Sequence, residues 1–262
     1  MTAPSMDVVQ GVDGLRPQHG RLFVVIGVFD GLHRGHTYLL EHLRDEAGRR
    51  SARPTVITFD HHPDEVIQGV APPLLLHPAE RLERLAAAGV EVTVVQHFDE
   101  RVRRTAYDDF VEMIGSRVDL AGFLMTPDAA FGFERRGTPE ALADLGSRRG
   151  FDVVVVPPYT LDGTAVRSSD IRAAIARGDL ARARELLGRD VTVTGTPRPE
   201  GNALRLEFEM PVALPPPGTY PASTDGRDVE LEVREDGTAL VRPPVGGADP
   251  GKPLRVLVHP VA

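Results

Sequence analysis

The chain has 262 residues, 41% hydrophobic and 26% charged, with a formal net charge of −8 and no cysteine. This composition fits an ordinary soluble protein of one large or two modest domains. It excludes a disulfide framework, an iron–sulfur cluster, a thiolate zinc site and a cysteine nucleophile. The acidic balance argues against a nucleic-acid binder. No stretch approaches the roughly 20 apolar residues of a membrane span. Met1–Asp7 shows no basic-then-apolar leader, so a cytoplasmic location is expected. Lys252 is the only lysine, so a Gly-Lys-Ser/Thr phosphate loop is ruled out and any cation that meets a triphosphate before it must be arginine or histidine.

In chain order, the apolar run Leu22–Ile26 predicts a buried strand. It leads into the glycine-punctuated turn Gly27–Val28–Phe29–Asp30–Gly31–Leu32–His33–Arg34–Gly35–His36 and a helix running to Arg49. Strands are predicted at Thr55–Phe59, Val92–Gln96, Ala121–Met125 and Phe151–Val156. Helices are predicted at Pro78–Ala88, Tyr107–Arg117 and Pro139–Arg149, the last opened by Thr138–Pro139. Such alternation predicts an α/β, Rossmann-like domain with a parallel sheet, whose ligands sit at the carboxyl ends of the strands. Two short helices, Ser169–Arg177 and Leu180–Leu187, follow. After Gly188 the pattern changes to alternating runs joined by the turns Glu200–Gly201–Asn202, Thr224–Asp225–Gly226 and Glu235–Asp236–Gly237. This predicts a small all-β, barrel-like domain over residues 189–262 behind a first domain of residues 1–188.

The strand–turn–helix at Gly27–His36 aims backbone N–H groups and the positive end of a helix dipole at one place, which suits a phosphate. His33 and His36 add donors there. A bare His-x-x-His is more often a structural pair, and two histidines at i and i+3 with no nearby carboxylate make a weak metal site. The Gly-rich turn behind a buried strand is what favours chemistry. Nucleotidyl transfer needs no protein nucleophile, only alignment and stabilisation of charge developing on the phosphates.

Gly27-x-Phe29-Asp30-Gly31-x-His33-x-Gly35-His36 resembles the adenylyltransferase signature of bacterial bifunctional riboflavin kinase/FMN adenylyltransferases. Thr58–Pro63, Thr126–Gly132 and Val166–Arg172 resemble later motifs of that family, in the family's order. The resemblance covers roughly residues 21–189. It implies adenylyl transfer from Mg-ATP to FMN, with Mg²⁺ as cofactor, ATP and FMN as small-molecule substrates, and no nucleic-acid or membrane partner. It implies catalytic roles for His33, His36 and Arg172, and ATP contacts at Gly27, Phe29, Asp30, Gly35, Ser168 and Ser169. Flavin contacts are implied at Phe59, His62, Pro63, Asp128 and Phe131. Ser168 and Ser169 also read as plain helix caps, and no residue is assigned to the metal beyond Asp128 as a contact for flavin phosphate or magnesium.

Departures fall mostly on the acceptor side. His61 replaces a proline, and Ala129–Ala130 follow Asp128 in place of larger residues. Arg167 replaces a serine of the late motif. After Arg189 nothing resembles the Gly-Phe-Pro-Thr-Ala-Asn segment on which the kinase module depends, and Asn202 is the only asparagine. The tail therefore reads as a kinase remnant without kinase activity. Two other functions stay open: nucleotidyl transfer to a different phosphorylated acceptor, or a catalytically weak flavin- or nucleotide-binding regulator.

Overall fold

β-branched and apolar residues in uninterrupted runs need cover on both faces of a sheet, which a parallel sheet flanked by helices provides. The computed structural model of the chain, which describes residues 6–243 and 251–260, shows that arrangement. Of the segment Met1–Asp7 read for a leader, residues 1–5 lie outside the described residues. Two compact units are present. One comprises the described residues up to Phe29 with Gly35–Pro72 and Leu82–Thr160. The other comprises Asp30–Arg34, Pro73–Arg81 and the described residues from Leu161 on.

The first unit holds six parallel strands: β1 (Asp7–Gln10), β2 (Arg21–Ile26), β3 (Arg53–Phe59), β4 (Val92–Gln96), β5 (Asp119–Met125) and β6 (Asp152–Val155), in the order β1-β4-β3-β2-β5-β6. The helices along this part of the chain are α1 (Arg34–Arg49), α2 (Pro63–Gln68), α3 (Pro78–Ala87), whose first four residues belong to the second unit, α4 (Glu100–Arg103), α5 (Tyr107–Gly115) and α6 (Pro139–Arg149). As predicted, Thr138 caps α6, its hydroxyl accepting from the Ala141 N–H, and Gly150 ends the helix in the left-handed region. Leu22, Val24, Ile57, Val94, Phe110 and Phe123 share one buried core. Each such side chain contributes about 1.5–3 kcal/mol by leaving water. β5 runs so close to β6 that a Cβ on Gly122 would stand 2.3 Å from the Asp152 carbonyl oxygen, and only glycine fits there. The edge strand β1 and the short helices α2 and α4 were not expected from the sequence.

In the second unit a two-residue hairpin of β7 (Thr160–Leu161) and β8 (Thr164–Ala165) leads to α7 (Ser168–Ala176) and α8 (Leu180–Leu187). These helices bury Ile171, Ile175, Leu186 and Leu187. The predicted β domain is a closed antiparallel barrel of β9 (Val191–Glu200), β10 (Ala203–Glu207), β11 (Gly218–Thr224), β12 (Arg227–Val233), β13 (Ala239–Arg242) and β14 (Leu254–Val258). All three predicted turns join consecutive strands or lead out of one. Val193, Leu231, Val241 and Val256 fill the interior. Outside, Glu232 pairs with Arg234 and Arg242, and Glu207 with Arg198 and Arg205. These pairs make a solvated charged face.

The barrel begins beside the expected start at residue 189, but the second unit also takes in Leu161–Gly188 and two earlier segments. Polar contacts tie those segments together. Arg34 Nε donates to the Glu185 carbonyl, and the Leu74 N–H to the Pro211 carbonyl.

Candidate active site

β2 ends at Ile26, and the chain then makes the predicted turn. Its backbone is unusual: Phe29, Gly31 and Leu32 have φ of 53°, 80° and 37°. Two non-glycine residues in the left-handed region within four positions carry a conformational cost, of the kind found at binding and catalytic sites. In the first unit, the half-buried His36 lies in the first turn of α1, its ring 5.0 Å from that of Phe29 and tilted by 46°. Gly27 presses on the same phenyl ring, since a Cβ there would lie 3.1 Å from it.

The rest of the turn belongs to the second unit. Asp30 is 3% exposed, and its carboxylate is fully engaged. It accepts the Leu75 N–H at 3.0 and 3.1 Å and faces Arg172 Nη2 at 2.6 Å. Arg172 Nε donates to the Pro73 carbonyl at 2.7 Å. The Ser168 hydroxyl donates to the Asp30 carbonyl at 3.1 Å, and Arg189 donates to the carbonyls of Gly31 and Leu32. Ser168 therefore pins the turn rather than capping α7, whose N-cap, Arg167, makes no side-chain cap. Ser169 is exposed at the start of that helix. Arg172 and Asp30, expected to face ATP, hold each other.

His33 is 5% exposed. Burial, with the nearby Arg189 and Arg172 guanidinium groups, lowers its pKa from 6.5 to about 4. At neutral pH it is an uncharged imidazole, so it contributes a hydrogen bond rather than a positive charge. The sign of its linkage follows: the unfolded chain binds this proton from pH 6.5 downward and the folded chain resists it until about 4. Stability should therefore fall as pH drops through this window, by up to about 3 kcal/mol from this group. Urea midpoints between pH 7 and 4.5 should show a shallower decline in His33→Gln than in the parent. Parallel curves would remove this account of His33.

A cavity of about 570 Å³ opens in the first unit at the carboxyl ends of β2, β3 and β5. Its size suits a small-molecule site. Its wall is rich in aromatic rings: Phe59 and Phe98 meet edge to face at 5.3 Å, and Phe131 lies 5.9 Å from both Phe110 and Phe123. His62 caps α2, accepting from the Asp64 N–H, and Pro63 takes the first helical position. The loop after β5 is also constrained, with Gly132, Glu134 and Arg135 at positive φ.

Residues 15–170 match the family described as FAD synthetase. The chain belongs to the FAD synthetase family. FMN adenylyltransferase, the enzyme class expected from the sequence, is the one this family carries. A bifunctional riboflavin kinase/FMN adenylyltransferase of Pseudomonas fluorescens is 31% identical over 231 residues, which is 84% of this chain and 73% of that protein. The protein of the same name from Escherichia coli (strain K12) is 30% identical over 194 residues, 72% of this chain and 62% of its own length. A solved macrolide-efflux protein from Streptococcus pneumoniae superposes with a TM-score of 0.78 at 20% identity, over 97% of this chain and 90% of its own. At that identity the likeness is one of fold.

In this FAD synthetase family member, the sequence-derived candidates divide among the cavity wall, its surroundings and the two units. Phe59, His62, Pro63, Phe131 and also Gly27 line the cavity. Asp128 is exposed outside that lining, its carboxylate accepting from the Thr126 hydroxyl at 2.9 Å. Gly27, Phe29, Gly35 and His36 fall in the first unit, while Asp30, His33, Ser168, Ser169 and Arg172 fall in the second. Sequence reasoning missed Phe98, which directly follows the β4 exit, and Arg103, Thr126 and Arg135, which give the cavity polar groups. It also missed Arg189 as the anchor of the turn. Phe98 was within reach of the rule that ligands meet the carboxyl ends of parallel strands. No helix of the described residues is long and apolar enough to cross a membrane.

Proposed function

We propose that the chain transfers the adenylyl group of Mg-ATP to FMN, releasing FAD and pyrophosphate, and that it has no riboflavin kinase activity. The observation that carries this is the β2 exit: Gly27 and Val28 both form the cavity wall and begin the strained turn. An aromatic-walled cavity suits a planar flavin ring, and the turn and helix start suit phosphates. In the step itself, an oxygen of the FMN phosphate attacks the α-phosphorus of ATP. The bond from that phosphorus to the bridging oxygen breaks, and pyrophosphate leaves with its electrons. In the first unit, His36 would donate a hydrogen bond as charge builds on the phosphate oxygens, and the α1 dipole would add to it; in the second unit, the neutral His33 offers a donor of the same kind. Ser168, Arg172 and Arg189 would act by fixing the turn.

Magnesium enters as part of the ATP complex, since it prefers phosphate and water oxygens to an all-protein cage. Support for the missing kinase step lies in the tail: Asn202 sits in the β9–β10 turn, where its side-chain oxygen accepts from Arg242. A cytoplasmic location belongs to the same reading. A second acceptor is favoured by Ala129 and Ala130, which line the cavity where the family loop carries larger residues. Incubation with ATP and magnesium plus either FMN or riboflavin, followed by chromatography, tests these points. FAD from FMN, with no FMN from riboflavin, is expected. FMN formed from riboflavin would overturn the kinase half, and no FAD from FMN would leave the other acceptor.

A further inference from the structure

Two neighbouring strand ends carry side chains that adenylyl transfer does not use. β3 ends at Phe59, followed by Asp60 and His61, and β4 ends at Gln96, followed by His97. The parallel register sets Phe59 opposite Gln96, and the Asp60 N–H donates to the Gln96 carbonyl at 3.2 Å. Topology thus brings the following residues together. His97 Nδ1 is 2.6 Å from Asp60 Oδ2, and His61 Nδ1 is 3.3 Å from Asp60 Oδ1. One ligand atom from each of the three lies within 4.8 Å of the others. Asp60 is the fixed member, because its Oδ1 accepts the backbone N–H groups of His61 at 2.8 Å and Phe98 at 3.3 Å. The two imidazoles are exposed, their side chains 44% and 66% accessible, with the ring centroids 6.1 Å apart.

We infer that Asp60, His61 and His97 form a binding site for a divalent transition ion of the zinc type. Two imidazoles and one carboxylate are a donor set such ions favour. Bonds of about 2.0–2.2 Å set ligand atoms of a tetrahedral ion about 3.4 Å apart. Present separations run from 2.6 Å to at most 4.8 Å, and turning the two exposed rings about a fixed carboxylate brings them to that spacing. Magnesium does not suit the site, since it takes oxygen ligands. Three protein ligands leave a position for water or for an oxygen of a bound molecule. Phe59, His62 and Phe98, the sequence neighbours of the triad, line the cavity, so the ion would sit at its rim. His61 is also the residue that stands where the resembled motif has a proline, a side chain that could not ligate an ion. The inference does not rest on the identity of the acceptor.

Full-length protein freed of metal by chelation and titrated with Co²⁺ provides the test, read by visible absorption and calorimetry. One ion per chain is expected, with a dissociation constant of about 10 μM or tighter, displaced by Zn²⁺. His61→Ala and His97→Ala should each weaken binding about tenfold or more, and the double variant should abolish it. His42→Ala should leave it unchanged. Circular dichroism should show the variants folded, as expected for exposed side chains. Asp60→Asn, which keeps the size and an oxygen acceptor, gives an independent loss of affinity. Absence of saturable binding, or binding that survives the double variant, would overturn the site.

Discussion

His36→Ala should lower kcat by about 100-fold or more, with a much smaller change in ATP affinity. The imidazole stands in the first turn of α1 against the Phe29 ring, at the end of a turn whose backbone already carries two left-handed non-glycine residues. A donor held there by packing is pre-set for charge that appears only as the α-phosphorus is attacked, so its loss falls on the transition state. Rapid-quench measurement of FAD formation and ATP titration of the same variant separate the two effects. His36→Asn, which keeps a donor, should recover part of the rate. A His36→Ala enzyme with near-normal turnover would remove His36 from the chemistry.

Asp30→Ala should be the most destabilising single change in the turn. Asp30 and Arg172 side chains are 3% and 17% exposed. Removing the carboxylate strands a largely buried guanidinium and leaves the Leu75 N–H without its acceptor. Breaking such a pair costs about 3–5 kcal/mol, which for a chain of this size lowers the thermal midpoint by roughly 6–20 °C. Calorimetry would read this directly. The double variant Asp30→Leu/Arg172→Met should regain much of the stability, because two apolar groups leave no unpaired charge. It should not regain activity, because the turn loses its polar ties. Arg172→Lys should lie between, with a raised ATP KM, because one ammonium cannot span both the Asp30 carboxylate and the Pro73 carbonyl. An unchanged midpoint in Asp30→Ala would show the pair to be ornamental.

The parallel strands were legible because β2, β4 and β5 are runs of apolar and β-branched residues with no polar alternation, which only a sheet covered on both faces accepts. β1 was not legible. Asp7–Gln10 is a four-residue edge strand with one buried side chain, and too little of it faces a core to print a pattern. Helices α2 and α4 escaped for a related reason. They are one or two turns long and are set by their caps, His62 and Asp99, rather than by an apolar period. At the candidate site, the Gly27–His36 turn was visible because its glycines and histidines are contiguous. The Arg189 anchor and the Asp60–His97 contact were not, because chain topology brings their partners together across tens of residues or more. Arg172 was read as a cation open to phosphate. Its partner, Asp30, stood in a different motif 142 positions earlier, and which of the chain's arginines a buried aspartate meets is a pairing that sequence alone does not reveal.

The tie between Asp30 and Arg172 spans 142 positions of chain. At the ordinary pace of synthesis, about 5–20 residues per second, roughly 7–28 s separate the appearance of the two residues on the ribosome. Through that interval β2 and its exit exist without the guanidinium that fixes the aspartate, and the Gly31 and Leu32 carbonyls wait longer still for the Arg189 donors. The nascent chain thus carries its signature motif early and gives it a settled shape late. A release that ends before residue 189 leaves the motif written but unformed.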